Sequence, residues 1–247
     1  MFVPLQDENW LRSIRFQYVT VGLIVLNILV FMLEQTNFGE AVVMSGALIP
    51  GELLQSDRVA ATGFVPEPLT LLTYMFFHGS LLHLGGNMLF LWVFGDNVED
   101  AMGHVKYLIF YLACGVFAGL VHTLVANSNL ALPVPELAAA LGDGGGSNLA
   151  IPLIGASGAV AGVIAAYLML HPRVRIWVLA FKAIPLRISA MFALGLWVLM
   201  QVVMVLIPQD GQIAWWAHIG GLIAGAVLVI FLRRPGVPLF DKGLARA

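Results

Sequence analysis

Charge and cysteine are the scarce components of this 247-residue chain. Charged residues make up 11% of it, and Cys114 is the single cysteine. A soluble domain carries about 25% charge, so the shortage points away from water. The 12 basic and 14 acidic residues leave a formal net charge of −2, with no basic face to neutralise phosphates, and nucleic acid is excluded as a partner. One cysteine excludes an internal disulfide framework and a cysteine-based zinc site. No His-Glu-x-x-His run occurs, so a zinc protease is excluded and no metal or organic cofactor is implied. No carboxylate lies in the middle of any apolar run. That argues against an ion-coupled transporter or channel, and against an aspartyl intramembrane protease, which needs two.

What is abundant is apolar sequence: 60% of the chain is hydrophobic. A disordered chain would be polar. Six apolar runs are long enough, or nearly so, to cross a bilayer as helices at ~1.5 Å per residue. They cover roughly residues 18–35, 81–98, 105–126, 155–171, 188–207 and 213–232. If all six cross, eleven of the twelve basic residues fall on one side and only Arg58 on the other. The positive-inside bias then puts both termini in the cytoplasm. The run after Arg12 and Arg15 is longer than the core of a signal peptide, and it reads as a retained first span. The expected architecture is a single all-α membrane domain over 1–247, a six-helix bundle in a cell (inner) membrane with the lipid bilayer as its partner. Thr36–His78, with Pro50, Pro66 and Pro68, is suited to the membrane interface. Asn127–Pro152, with its Gly144–Gly146 run, is expected to be mobile.

Polar groups are costly at membrane depth, so those inside the runs are the first functional suspects. They include Asn27, His83, Asn87, His122, Ser157, Gln201 and His218. Ser157 lies in Gly155-Ala156-Ser157-Gly158, at the start of the fourth run. His218 lies in the sixth, and Gly221 and Gly225 follow it at three and seven residues, on the same helical face. Gly158 and Gly162 repeat that spacing on the fourth run. Two such faces let backbones approach closely, close enough for a serine to reach a histidine within ~2.6–3.2 Å. His83 and Asn87 are four apart and share a face of the second run, where their side chains suit an oxyanion. Asn27, His122 and Gln201 read as interhelical hydrogen-bond partners, His78 as a loop anchor, and Trp215 and Trp216 as interfacial residues. Glu99 is ~24 Å along a helix from His83. It is too far to orient His218 and is expected to tie the cytoplasmic end of its span to a neighbour.

At these residues the chain resembles the rhomboid family of intramembrane serine proteases, of the bacterial six-span type. The motifs are Gly155-Ala156-Ser157-Gly158, the Ala217-His218-Ile219-Gly220-Gly221 run continuing to Gly225, the His78–Asn87 segment, and Gly95–Gly103 around Glu99. The resemblance implies a serine endopeptidase acting on single-span transmembrane substrates near the outer face. Ser157 would be the nucleophile and His218 the base, with Asn87, His83 and the Ser157 N–H as oxyanion donors. With no acidic residue to orient His218, it implies a dyad. A catalytically inactive, client-binding relative is the alternative. The chain departs from many members at Pro68-Leu69-Thr70-Leu71, which replaces a Trp-Arg pair, and at Ala161, where some carry a tyrosine under the histidine ring.

Overall fold

The computed structural model describes residues 2–54, 64–127, 148–180, 184–206 and 214–241. Arg58, Lys182 and most of the Asn127–Pro152 loop lie outside them. Helices fall on each of the six apolar runs: α1 (Tyr18–Glu34), α5 (Leu81–Met102), α6 (His104–Asn127), α7 (Ser157–Leu170), α8 (Ala190–Leu206) and α9 (Trp215–Leu232). α6 and α9 are long and apolar enough to cross a membrane, whereas α1, α7 and α8 are shorter apolar helices. α5 runs on to Met102, past the expected end at 98, because Glu99 and Asp100 in its last turn find partners within the protein.

On α1 and α8 the burial pattern departs from that of a soluble protein. α1 buries Thr20, Leu23 and Asn27 and exposes Val25, Leu26, Leu29 and Met32. α8 buries Gln201 and exposes Leu196, Leu199, Val202 and Val203. Helices with apolar residues outward and polar ones inward are suited to a hydrocarbon solvent, where every polar group must be satisfied internally.

α7 is the central helix, buried from Gly158 through Tyr167. Its closest neighbour is α9, and glycine makes that contact. A Cβ on Gly221 would sit 1.9 Å from the Gly158 carbonyl oxygen, and one on Gly225 2.2 Å from that of Gly162. On the α9 side only bare backbone fits, and on α7 a Cβ at Gly158 or Gly162 would collide with Ala118 or Cys114 of α6.

The described residues of Thr36–His78 form three short helices, α2 (Gly39–Gly46), α3 (Pro50–Leu54) and α4 (Glu67–Thr73), and a 3₁₀ turn at Tyr74–Phe76. At the opposite end of the bundle is a feature absent from the sequence reading, a three-stranded antiparallel sheet. β1 (Phe2–Asp7) pairs with β2 (Arg175–Ala180), which pairs with β3 (Ile184–Ser189), and β3 leads directly into α8.

Carboxylates from the last turn and a half of α5 bind this end together. Glu99, fully buried, accepts the N–H groups of Val19 and Thr20 at 3.0 and 2.8 Å, the Thr20 hydroxyl at 2.7 Å, and pairs with His104 Nδ1 at 2.5 Å. It thereby serves donors of the first turn of α1, which has no side-chain cap of its own. Asp100 accepts the N–H groups of Arg12, Ser13 and Ile14 at 2.7–3.0 Å. Asp7 anchors β1 by accepting from the Tyr167 hydroxyl at 2.6 Å and Asn97 Nδ2 at 3.0 Å. Burial raises the Asp7 carboxyl to about 6, against hydrogen bonds that pull it down.

Candidate active site

Ser157 is the first residue of α7, and the chain leading into it is pinned from several directions. Leu153 exchanges backbone hydrogen bonds with Leu48, and the Gly155 N–H donates to the Tyr74 carbonyl at 3.0 Å. The Ala156 N–H points at His78 Nε2, 3.4 Å away. His78 is buried, which pushes its pKa down to about 4 and leaves the neutral ring able to accept. The backbone N–H of His78 donates to Glu34 at the end of α1. Gly155 turns the chain at φ 125°, in the region that side chains other than glycine avoid. A Cβ there would also sit 2.7 Å from the His83 ring. The segment is over-determined, which suits a residue that must be placed accurately.

His218 lies on the first turn of α9. Its Nε2 is 2.8 Å from Ser157 Oγ, across the glycine contact between α7 and α9. Its Nδ1 is 2.8 Å from Gln201 Oε1 on α8. Trp215 packs edge-on against the His218 ring at 5.8 Å, and Trp197 lies at 6.2 Å, tilted by 35°. These two indoles pack the ring that Ala161, buried elsewhere against α9, leaves without a tyrosine. Trp215, expected from the sequence at the interface, also packs against the histidine.

His83 and Asn87 sit one turn apart on α5. The His83 ring stacks edge-on against His78 at 5.0 Å, and its Cε1–Nε2 edge faces Gly155. Asn87 is buried, and its Nδ2 has no hydrogen-bond partner among the described residues. Gly158, Gly221 and Gly225 line the helix contact that brings Ser157 and His218 together, and Gly155 forms the turn before the serine. Glu99 is at the far end of α5 and does not join the site. Gln201, expected as an interhelical hydrogen-bond partner, is one, and its partner is His218, which the sequence did not identify. The only sequence signal for it is an isolated amide in an apolar run.

A family model of the rhomboid domain matches residues 66–235. The chain belongs to the rhomboid family. Members of this family are helical membrane proteins and include intramembrane proteases as well as inactive rhomboid-like proteins. Over 231 residues the chain is 26% identical to RHOMBOID-like protein 12, mitochondrial, of Arabidopsis thaliana, covering 92% of this chain and 62% of that protein. It is 29% identical over 130 residues to Rhomboid protein 1, mitochondrial, of Saccharomyces cerevisiae, covering 52% of this chain and 32% of that one. With Rhomboid protease GlpG of Yersinia pestis it shares 26% over 129 residues, 51% of this chain and 43% of the relative. The chain thus spans less than two thirds of the length of each of these relatives.

Proposed function

We propose that this rhomboid is an active intramembrane serine endopeptidase, and the observation that carries the reading is the 2.8 Å contact between Ser157 Oγ and His218 Nε2. At that distance His218 takes the serine proton as Oγ attacks the scissile carbonyl, then returns it to the leaving amine. Water hydrolyses the acyl-enzyme by the same route in reverse. Charge developing on the carbonyl oxygen falls to the Ser157 N–H, a free donor at a helix N-terminus, and to the Asn87 amide, with His83 as a further donor. The buried Asn87 Nδ2 is available for that role.

In this reading all six long helices cross the membrane, with both termini cytoplasmic and the enzyme multi-pass in a cell (inner) membrane. α7, at 14 residues, is ~21 Å long against a hydrocarbon core of ~30 Å. A helix that short begins below the surface, so Ser157 lies under the outer face. Substrates are single-span transmembrane proteins. A membrane helix shields its own carbonyls, so the substrate must unwind locally, which Gly, Pro or polar residues near the outer face make cheap. The glycine and alanine walls around Ser157 favour a small residue immediately before the cut.

A fluorophosphonate probe tests the reading. It should label wild-type protein at Ser157 and leave Ser157→Ala unlabelled. A folded wild-type protein that takes no label would favour the inactive, client-binding alternative.

A further inference from the structure

Gln201 is 1% exposed, on the helix opposite the dyad, and both ends of its amide are used. Nε2 donates to the Trp197 carbonyl one turn earlier at 3.1 Å, and Oε1 lies 2.8 Å from His218 Nδ1. An amide oxygen only accepts, so His218 Nδ1 must carry the proton. A neutral imidazole has one N–H, and Nε2 is therefore left as a lone pair aimed at Ser157 Oγ. The partner of one ring nitrogen fixes the chemistry of the other. The Trp197 carbonyl in turn sets which way the amide faces, while the Trp197 ring packs beside the imidazole. Among the described residues no carboxylate hydrogen-bonds to His218.

We propose that Gln201 is the positioning residue of the dyad: a neutral third member that holds His218 in the Nδ1–H tautomer and aims Nε2 at Ser157. The proposal rests on reading Ser157 and His218 as nucleophile and base. It also says that this site uses an uncharged acceptor where serine hydrolases of the triad type use a carboxylate. A buried carboxylate here would carry a desolvation cost that the amide avoids. The amide supplies direction without charge, and the imidazolium formed during attack is left to the surrounding dipoles.

The test reads the tautomer and the rate separately. Full-length protein with ¹⁵N-labelled histidine is compared as wild type and as Gln201→Leu, Gln201→Asn and Gln201→Glu, with His218→Gln to assign the signal. Wild type and Gln201→Glu, which keeps an acceptor at the same reach, should give the Nδ1–H pattern at His218. Gln201→Leu, of similar volume, and Gln201→Asn, one methylene too short, should lose it. In a cleavage assay the Leu and Asn variants should lose kcat by at least tenfold, up to the ~10⁴-fold that a wrong histidine tautomer costs, with KM and Tm nearly unchanged. Gln201→Glu should retain most of the rate.

An unchanged tautomer and rate in Gln201→Leu overturns the proposal. So does a loss that appears only in KM or Tm, which would make the amide a packing residue. The tautomer is measured on the resting protein, so it stands or falls even if no substrate is cut. A tautomer that depends on Gln201 in a protein without protease activity would sink the catalytic reading and leave the positioning role intact.

Discussion

The two ends of the bundle are built from different chemistry. At the Ser157 end, helices meet through glycine backbone, and the side chains around the serine are three histidines and two amides, with one carboxylate, Glu34, accepting the backbone N–H of His78. At the Glu99 end, two carboxylates, Glu99 and Asp100, collect backbone N–H groups from the chain before α1 and from its first turn, and a third, Asp7, ties β1 to α5 and α7. Charge is affordable near a water interface and costly at depth. The molecule therefore concentrates its charged tethers at one end and reaches a precise serine–histidine contact at the other by close packing. These roles should separate under mutation: changes at the Ser157 end should remove activity with little loss of stability, and changes at the Glu99 end should do the reverse.

The largest effect belongs to the dyad. Ser157→Ala and His218→Ala should each abolish cleavage while Tm stays close to wild type. The double variant should lose no more than either single one, because the two act as a unit. A purified single variant that still cuts would break the comparison at its strongest point. Asn87→Ala removes one oxyanion donor and should slow turnover by ~10²–10³-fold. Full activity in that variant would leave the oxyanion to backbone donors and His83.

At the other end, Glu99→Ala strands the buried donors of Val19 and Thr20, each costing ~1–3 kcal/mol. Its Tm should fall by several degrees or more, while protein that remains folded should label with fluorophosphonate at the wild-type rate. A Glu99→Ala protein of unchanged Tm but slow labelling would mean that the two ends are coupled.

The smallest effect is a pH dependence at β1. The Asp7 carboxyl is raised from 3.8 to about 6 by burial, so the folded state holds its proton more tightly than the unfolded chain does. That stabilisation is complete below about 3.8 and is lost as pH rises through about 6. Asp7→Asn keeps an acceptor for Tyr167 and Asn97 and has nothing to ionise. Its stability should vary less across that window than that of wild type, and an equal slope in the two would remove Asp7 as the cause.

Much of this was legible in the sequence. Apolar runs locate helices whatever their packing partners, and Gly158, Gly162, Gly221 and Gly225 mark a close contact through spacing alone. The sheet was not legible. Its strands are six residues long and β1 meets β2 across about 170 residues of chain, so neither segment signals its partner. Gln201 was hidden for a related reason. It lies 17 residues before His218 on a different helix, and a single amide in an apolar run looks the same whether it satisfies packing or directs a catalytic ring. Trp215 was likewise ambiguous, because an aromatic residue at a helix end suits an interface as well as a site.

The most direct test is cleavage of a single-span substrate by the purified protein in liposomes, with the cut located by mass spectrometry. One principal cut is expected near the outer end of the substrate helix, after a small side chain, blocked when that residue becomes Phe and absent with Ser157→Ala. Cutting that persists in Ser157→Ala, or that falls at the cytoplasmic end of a uniformly leucine-rich helix, would contradict it.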